Sequence, residues 1–464
     1  MVDALAGLTR AQVNRLRASF GGEVIAPSHP SFDEARRVWN AMHDRRPALL
    51  VRPTTVADVG TAIRFGRERG LEIAVRGGGH SASGHSTCDG GLVIDLSKLR
   101  GVAVDARATT ARANGGALLG ELDIAAQTHG LVCPVGVIGH TGVAGLTLGG
   151  GVGRLQRNFG LTIDNLRAVE LVTADGRTVR ASEAEEPELF WAIRGAGSNF
   201  GVVTAFEFDL HPFGPLLHRG ARIHPASNVH ELWSIFRDYA AKAPEAVSMI
   251  FAIGRAEPAS DSPDSVAGKP IVIVAYNHSG SAETAERDVA PLTAGPAPAS
   301  TTGGSQRYLE VQVTNDEAIA WGGRSFIRGG YVNDIRAEAL HALVEHVAHA
   351  PGEGSFSITA QGGAIGRVPE DAMAFTGRYA PFDVSADSSW QDPTLDDANR
   401  DWVRGAMAII EPDTIPGRYV NENSDVGPEE TRAIYGDAKL ERLTALKRAW
   451  DPDNIFHLNH NVEP

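Results

Sequence analysis

Four side chains that can bind a metal or act as nucleophiles follow three consecutive glycines in VRGGGHSASGHSTCDGG (75–91): His80, His85, Cys88 and Asp89. Imidazole, thiol and carboxyl groups are metal ligands, and glycine-rich backbone can wrap a phosphate. A neutral imidazole nitrogen is also a nucleophile towards an activated carbon of a cofactor. Three kinds of site are therefore open: a dinucleotide-binding turn, a metal site and a covalent cofactor anchor.

A dinucleotide-binding turn is suggested by Gly77, Gly79 and Ala82, which match G-x-G-x-x-A after a predicted strand. Such a turn needs a following helix, whose N-terminal amides face the pyrophosphate. The segment SASGHSTCDGG (81–91) predicts no helix, because it is rich in Gly, Ser and Thr and has no apolar period. The match to a NAD-type fold is weak, although the glycines still let backbone amides approach a phosphate.

A zinc site is the second interpretation, but the spacing of the four side chains matches none of the common zinc patterns. We therefore predict no bound metal. In the third interpretation, His80 becomes bonded to the methyl group of an oxidised flavin, and neighbouring amides hold the phosphates. Composition alone does not choose between these interpretations and ordinary loop residues.

The whole chain limits the classes of partner. Its formal net charge is −14 and it has no run of basic residues, so we expect no nucleic-acid partner. It has no apolar stretch of ~18 residues, so we expect no membrane span. The N-terminus lacks the pattern of a signal peptide, and Cys88 and Cys133 cannot build a disulfide framework, which predicts a cytoplasmic protein.

The elements around the glycine stretch alternate between strand and helix. A strand (48–52), a helix (54–70) that begins after Thr55 and stops at Gly70, and a strand (71–76) lead into the glycines. Further strands are predicted at 91–96, 101–105, 109–115, 168–179 and 200–212, with a helix near 117–129.

The second half of the chain has a different pattern. Strands of antiparallel character (SMIFAIGR, PIVIVAYN and SFSITAQGGAIGRV) alternate with predicted helices near 229–242, 281–290 and 336–349, and segments 256–269 and 290–305 read as surface loops. A last helix stops at Asp451-Pro452. These patterns predict an α+β fold with helices on one face of a sheet.

Several ordered motifs resemble one family of flavoproteins. They are VRPTTVADVGTAIRFGRERGLEIAVRGGGHSASGH, HTGVAGLTLGGGVGRLQRNFGLTIDNL, PELFWAIRGAGSNFGVVTAFEF, YVN (419–421) and DPDNIFHLNHNVEP. The chain resembles the berberine bridge enzyme-like oxidases of the vanillyl-alcohol oxidase (PCMH-type) superfamily, especially the bacterial nicotine oxidases and antibiotic-pathway oxidases. The resemblance implies a two-part PCMH-type FAD-binding domain (1–214, core about 45–214), an antiparallel-sheet substrate domain (215–410) and a C-terminal segment (411–464) that returns to the FAD domain.

The resemblance also implies a set of cofactor residues. His80 is the expected site of a covalent bond to FAD, and the segment from Arg76 to Ser81 would wrap the pyrophosphate. The individual cofactor contacts expected besides His80 lie in the two glycine tracts, at the adenine end and in the tail: Gly77, Gly78, Gly79, His140, Thr141, Gly142, Gly145, Gly149, Gly150, Gly153, Val203, Tyr419, Asn421, Asn459 and Asn461.

Some relatives carry a second bond, from a cysteine to the flavin. Counted back from the glycines at 149–151, the matching position is Ile138, five residues beyond Cys133. We therefore predict FAD bonded through His80 only, with Cys133 as a small buried apolar residue. Where the plant relatives have a catalytic glutamate, this chain has Arg367.

The resemblance implies an oxidase in which the flavin takes a hydride from a C–H bond beside an alcohol or amine of a small molecule, with O2 as acceptor and H2O2 as product. Tyr419 is the first candidate base and His140 the second; either residue could instead only orient the flavin, and Glu422 is a weaker candidate. The substrate is expected to touch Gln361, Arg367, Phe375 and Arg378. A flavin-dependent oxygenase and a non-catalytic flavin-binding protein are the alternatives.

Overall fold

The computed structural model describes residues 7–256 and 263–464. The loop predicted at 256–269 therefore lies partly outside the described residues. The strands, in chain order, are β1 (Glu23–Ile25), β2 (Leu49–Arg52), β3 (Ile73–Arg76), β4 (Leu92–Asp95), β5 (Val102–Asp105), β6 (Thr110–Asn114), β7 (Leu131–Val132), β8 (Leu166–Val172), β9 (Thr178–Ser182), β10 (Val202–Asp209), β11 (His211–Pro212), β12 (Leu216–Pro225), β13 (Val247–Arg255), β14 (Pro270–His278), β15 (Ser300–Arg307), β16 (Arg324–Val332), β17 (Glu353–Ala360), β18 (Phe382–Trp390) and β19 (Thr414–Ile415).

The α-helices follow the same numbering. They are α1 (Arg10–Ser19), α2 (Phe32–Ala35), α3 (Val56–Arg67), α4 (Leu119–Gln127), α5 (Val143–Gly149), α6 (Gln156–Phe159), α7 (Pro187–Ala196), α8 (Val229–Ala240), α9 (Ala282–Val289), α10 (Tyr308–Gln312), α11 (Ala337–Ala348), α12 (Ala364–Arg367), α13 (Asp396–Ile410) and α14 (Pro428–Trp450).

Two sheets form the N-terminal lobe. The first has the order β1-β2-β4-β3, and β4 pairs in parallel with β2 and β3. Thr55 caps α3 through its hydroxyl group, as the sequence predicts. The second sheet has the order β5-β6-β10-β8-β9 and packs against α4 and α7 through an apolar core that includes Phe190 and Phe206.

An eight-stranded antiparallel sheet forms the second lobe, in the order β15-β12-β14-β13-β17-β18-β16-β19. Residues on β18 alternate between its two faces. Phe382, Val384 and Ala386 face a core shared with α8, α11 and α13. Tyr331, on the opposite face, packs with Leu161 and Tyr419, so that face looks towards the N-terminal lobe. The α+β fold, with helices on one face of an antiparallel sheet, is confirmed.

Several local predictions were wrong. The segment 290–305 is not entirely loop, because β15 begins at Ser300 and pairs with β12. The strand predicted through QGGAIGRV ends at Ala360, because Gly362 and Gly363 have positive φ angles and turn the chain into α12. The sequence analysis did not predict β12, β16, β18 or α13. The last strand, β19, lies beyond the predicted boundary at 410 yet belongs to the second lobe's sheet.

The C-terminal segment returns to the first lobe. Its helix α14 ends at Trp450, and the carboxylate of the next residue, Asp451, forms an ion pair with the Lys447 ammonium at 2.8 Å, with both side chains fully buried. The tail beyond it contacts the N-terminal lobe, where the Asn459 side chain donates to the carbonyl of Ser198 at 2.9 Å.

Candidate cofactor and substrate site

The two glycine tracts meet at a backbone contact. A Cβ atom on Gly78 would lie 2.2 Å from the amide nitrogen of Gly142, and one on Gly142 would lie 2.3 Å from the amide nitrogen of Gly78. Gly79 has φ +73°, which favours glycine. The two tracts can therefore make this contact only with glycine at positions 78 and 142. The contact places His80 beside His140.

His80 lies in a packed aromatic environment. Its ring stacks on Trp39 at 5.0 Å between centroids, and its Nε2 lies 2.7 Å from Nδ1 of His140. Burial and the neighbouring His140 lower the pKa of His80 to about 3. The imidazole is therefore neutral near pH 7, as a nucleophile must be.

The hydrogen bonds select one tautomer of His80. Nε2 of His140 lies 3.3 Å from the carbonyl oxygen of Asp316, which can only accept, so this nitrogen carries the proton. Nδ1 of His140 is then an acceptor, and Nε2–H of His80 donates to it. Within the described residues, Nδ1 of His80 makes no hydrogen bond and keeps its lone pair. Nδ1 is therefore the ring nitrogen of His80 whose lone pair is free.

The second glycine tract also receives the C-terminal segment. A Cβ on Gly149 would lie 2.3 Å from the side-chain oxygen of Asn421, and one on Gly150 would lie 2.7 Å from the ring of Phe375. The Asn421 amide donates to the carbonyl of Leu146 at 3.1 Å and to the Tyr419 hydroxyl at 2.9 Å. The glycines at 149 and 150 and the YVN motif therefore contact each other directly.

Tyr419 is held as a phenol. Its oxygen accepts from the Gly151 amide at 3.1 Å and from Asn421, and these donors lower its pKa. Complete burial outweighs them and, with Glu422 nearby, raises the pKa of Tyr419 well above its usual range. This environment speaks against the prediction that Tyr419 is the base and favours its alternative role of hydrogen bonding.

The residues present fit FAD. Within the described residues, the backbone N–H groups of 78–81 donate no hydrogen bond, so they are available to phosphate oxygens. A Cβ on Gly145 would meet nothing within 4 Å, which leaves open space beside α5. The side-chain oxygens of Thr147, Asn459 and Asn461 are buried without a partner, which is expected where a bound group completes the hydrogen bonding.

The two other interpretations of the opening stretch gain no support. Residues 77–91 contain no helix, and the chain passes directly into β4, so the turn lacks the helix that a NAD-type site needs. Across residues 7–256 and 263–464, no three His, Cys, Asp or Glu side chains could share a metal ion. Burial raises the pKa of Cys88 to about 12, so its thiol is not a ready ligand.

Some predicted cofactor residues use their side chains elsewhere. The Arg76 guanidinium is buried and donates to the carbonyls of Ala35, Arg36 and Ser86, at 2.6 to 3.2 Å. Its side chain is therefore structural, so any contact of Arg76 with the pyrophosphate would come from its backbone. Val203 packs its side chain in the core of the second sheet and can offer only backbone groups.

The remaining predicted cofactor positions are part of the backbone framework. The Ser81 hydroxyl accepts from the amide of His85 at 3.0 Å, and the Thr141 carbonyl accepts from the amide of Leu119 at 2.9 Å. A Cβ on Gly77 would touch Ala144 at 3.4 Å, and one on Gly153 would lie 2.0 Å from the carbonyl of Val135. Gly153 is needed for this close backbone contact and not for an open surface.

The four predicted substrate residues lie in different environments. Arg367 is exposed at the surface and paired with Glu245. Arg378 is buried and paired with Asp164, and its guanidinium lies over the Phe375 ring at 5.4 Å. The side chains of Phe375 and Gln361 are also buried, at 4 % and 5 % exposure. None of the four presents an open surface to a substrate, because each is engaged within the protein or faces bulk water.

A polar wall that the sequence analysis missed lies on the face of the large sheet from which Tyr331 packs against Leu161 and Tyr419. It consists of alternate residues on β17 and β18, which share one face of the sheet, and of Glu422 from the tail: Ser355, Ser357, Thr359, Asp383, Ser385, Asp387 and Glu422. The alternation of FDVSAD (382–387) is the signal that predicts such a face.

The carboxyl groups of this polar wall are strongly perturbed. Burial raises the pKa of Asp387 to about 6, and burial together with Asp387 raises that of Glu422 to about 7. Burial and Glu422 raise the pKa of Asp383 well above its usual range. The wall can therefore exchange protons near neutral pH.

Comparisons with known proteins agree with this geometry. Residues 47–182 match the FAD binding domain family, and residues 418–463 match the berberine and berberine-like family. The chain is 33 % identical to (R)-6-hydroxynicotine oxidase of Paenarthrobacter nicotinovorans, over 96 % of this chain and 97 % of that protein.

No helix in the described parts of the chain is both long and apolar enough to cross a membrane.

Solved structures show the same fold. The crystal structure of 6-hydroxy-D-nicotine oxidase from Arthrobacter nicotinovorans superposes with a TM-score of 0.84 at 30 % identity, covering 96 % of this chain and 98 % of that one. Glucooligosaccharide oxidase of Acremonium strictum, which carries 6-S-cysteinyl, 8α-N1-histidyl FAD, superposes with a TM-score of 0.85 at 23 % identity, covering 98 % and 99 %. The chain belongs to the berberine bridge enzyme-like family of FAD-linked oxidoreductases.

Proposed function

We propose that this protein is an oxidase whose FAD is bonded to His80 alone and which oxidises a C–H bond beside an alcohol oxygen or amine nitrogen of a small organic molecule. When bound, FAD supplies the two-electron acceptor and passes the electrons to O2, which gives H2O2. The observation that carries this proposal is the neutral His80, with a free Nδ1, at the meeting point of the two glycine tracts.

A single covalent link follows from the cysteines. Position 138, where the second link would begin, holds isoleucine. Cys133 lies fully buried in the core of the second sheet, where burial raises the pKa of its thiol well above its usual range. A buried thiol with a raised pKa is a poor nucleophile, so Cys133 does not replace the missing residue.

His140 acts on His80 as a positioning residue in this proposal. Its Nδ1 accepts a hydrogen bond from Nε2–H of His80, and its own Nε2–H donates to the carbonyl oxygen of Asp316. This contact holds the His80 ring in the tautomer that exposes Nδ1. The predicted direct role of His140 in substrate oxidation is not needed.

The heteroatom proton of the substrate goes to the polar wall. Glu422 lies three residues beyond Tyr419, and its pKa of about 7 suits a group that accepts a proton near neutral pH. Tyr419 and Asn421 hold the tail against Gly149–Gly151, which fixes Glu422 beside the cofactor region. We assign the proton-accepting role to Glu422 rather than to Tyr419.

The test is anaerobic mixing of the yellow holoenzyme with a panel of small alcohols and amines, followed by exposure to air. We expect bleaching of the flavin absorbance by one class, its return in air, and one H2O2 per substrate oxidised. Glu422→Gln should slow bleaching by about 100-fold, within the range for loss of a general base, whereas Glu429→Gln, at an exposed position on α14, should not change it.

Two results would contradict this proposal. Bleaching followed by incorporation of oxygen into the product, with no H2O2, would identify an oxygenase. Absence of bleaching across the panel would support a flavin-binding protein without catalysis.

A further inference from the structure

One loop of the second lobe reaches across to the first lobe beside His80. This loop, the strap, comprises residues 313–323 and joins α10 to β16. The carbonyl of Ile319 accepts from the indole N–H of Trp39 at 2.8 Å, and the amide of Gly322 donates to the Trp39 carbonyl at 3.1 Å. Because Trp39 stacks on the His80 ring, the strap reaches His80 through a single aromatic side chain.

Asp316 of the strap contacts the two residues that open the second glycine tract. Its carboxylate accepts from the amide of Gly139 at 2.7 Å, and its carbonyl oxygen lies 3.3 Å from Nε2 of His140. A Cβ on Gly139 would lie 2.7 Å from the same carboxylate, so the strap and the tract are in direct contact. A hydrogen bond to a carboxylate is stronger than one between neutral groups. The Asp316 side chain therefore fixes the carbonyl to which His140 donates.

The helix before the strap is anchored on the first lobe by a buried carboxyl group. The two oxygens of Asp123 accept from the Tyr308 hydroxyl at 3.1 Å and from the Gln312 side-chain amide at 3.0 Å. The Gln312 amide also donates to the carbonyl of Gly136 at 3.0 Å. All three side chains of this network are buried. Helix α10 therefore holds one end of the strap against α4.

The groups that set the tautomer of His80 come from different lobes. Both His80 and His140 lie within residues 47–182, which match the FAD binding domain family, whereas Asp316 lies in the second lobe. The carbonyl of Asp316 keeps the proton on Nε2 of His140, which leaves Nδ1 of His140 as the acceptor for His80. The first lobe therefore obtains this arrangement only when the strap has docked on it.

We propose that Asp316 is a positioning residue for flavin attachment, so that docking of the strap onto the first lobe sets the rate at which His80 bonds to FAD. This proposal rests on the covalent link that the proposed function assigns to His80. Asp316 acts through His140, because its carboxylate holds the strap on Gly139 and its carbonyl orients the His140 ring.

The attachment step balances with O2 as the oxidant. Nδ1 of His80 forms a bond to a methyl carbon of the flavin, and one C–H bond of that carbon breaks. The C–H proton goes to solvent and the Nε2 proton of His80 leaves to His140. The two electrons pass through the flavin to O2, which takes up two protons and becomes H2O2.

The test is attachment kinetics in the full chain without substrate. Cofactor-free protein is mixed in air with increasing concentrations of FAD, and acid-stable flavin is measured against time. The dependence on FAD concentration separates the dissociation constant of the initial complex from the limiting rate of attachment. We expect Asp316→Ala to lower the limiting rate by about tenfold, as loss of one hydrogen bond to a charged group implies. The dissociation constant should stay within about threefold, because Asp316 acts on His140 and not on the phosphate-binding backbone.

Further variants separate positioning from a general loss of structure. Asp316→Asn keeps a side-chain oxygen for the Gly139 amide and should restore most of the rate. Asp316→Glu keeps the charge but moves the oxygens by one methylene, so it should slow attachment, and it replaces Asp316→Ala if that variant does not fold. Glu317→Ala, at the exposed neighbouring position of the strap, is the matched control and should change neither quantity.

A double-mutant cycle tests whether Asp316 acts through His140. Adding Asp316→Ala to His140→Phe should cause no further slowing, whereas independent effects would multiply. Multiplied effects, an unchanged limiting rate in Asp316→Ala and Asp316→Glu, or a change in the dissociation constant alone would each overturn the proposal. Wild-type protein that forms no acid-stable flavin would overturn the His80 link as well, so the two failures are distinguishable.

Discussion

The two lobes bury titratable groups of opposite kinds beside one site. In the N-terminal lobe, burial lowers the pKa values of His80 and His85 to about 3 and keeps these rings neutral. In the sheet lobe, burial raises the pKa values of Asp387 and Glu422 to about 6 and about 7. The same physical cause, removal of charge from water, therefore keeps imidazole rings neutral on one side and carboxyl groups protonated to a higher pH on the other.

The lobes also differ in what builds the site. Backbone contacts between glycines position His80, and a Cβ in the wrong place would separate the two tracts. Side chains that alternate along β17 and β18 build the polar wall, and their backbone is ordinary antiparallel sheet. The geometry of the first lobe's half of the site is therefore sensitive to side-chain shape, and the second lobe's half is defined by its charged and polar side chains.

The largest expected effect is a pH dependence of opposite sign in the two lobes. His85 and His460 have folded pKa values of about 3 and about 4, against about 6.5 when unfolded. The unfolded chain binds protons first, so their contribution to stability is lost as the pH falls below 6.5, by up to about 1.4 kcal/mol per pH unit for each histidine. His460→Gln should flatten this acid limb in thermal melts at pH 4.5 to 8.

The carboxyl groups give the opposite slope. Asp387 and Glu422 keep their protons in the folded state up to pH 6 and pH 7, whereas the unfolded chain loses them near pH 4. Stability is therefore lost as the pH rises from about 4 to 7, and Asp387→Asn should raise the melting temperature at pH 8 more than at pH 5. Parallel melting profiles for wild type and variant would contradict this account.

The next effect concerns the shape of the first lobe. Gly78→Ala places a Cβ 2.2 Å from the Gly142 amide, so the two tracts must separate. We expect a loss of about 3 kcal/mol in the free energy of unfolding and little bound FAD, measured by denaturant titration and flavin absorbance.

Gly145→Ala is the matched control, because its Cβ meets nothing within 4 Å. In the cofactor-free protein it should be neutral or stabilising by up to about 1 kcal/mol, since alanine favours the helix. It should still lower FAD content, because the methyl group enters the open space beside α5. Equal losses of stability in both variants would show that the tracts do not meet as described.

A smaller effect tests the tautomer of His80. His140→Phe keeps a ring beside His80 but removes the acceptor for the Nε2 proton. Formation of acid-stable flavin from cofactor-free protein and added FAD should slow by about tenfold, and His140→Gln, which retains an acceptor, should restore part of the rate. An unchanged rate in His140→Phe would show that His140 does not position His80 for flavin attachment.

The smallest effect is expected at Arg367, which the sequence analysis placed at the substrate. Its ion pair with Glu245 is exposed at the surface, and exposed pairs contribute at most about 1 kcal/mol. Arg367→Ala should leave steady-state kinetics within about twofold, because the side chain touches bulk water and not the wall. A large rise in the Michaelis constant would return Arg367 to the substrate site.

The difference between the two lobes explains which parts of the fold and of the site could be predicted from the sequence. Glycine tracts and the strand–helix–strand unit around α3 have local signals, and their positions in the structure match the prediction. The roles of Arg367 and Arg378 depended on which way each side chain points, which no local pattern fixes. The polar wall required the pairing of β17 with β18 and the return of Glu422 over Gly329, two contacts between segments distant in the chain.

The central claim is that FAD is bonded to His80 and to no other residue. The direct measurement is acid precipitation of the purified protein, followed by mass spectrometry of its proteolytic peptides. We predict that the yellow colour stays in the pellet and that one flavin mass lies on the peptide containing His80. Colour released into the supernatant, or a flavin mass on a peptide containing Cys133, would contradict the claim.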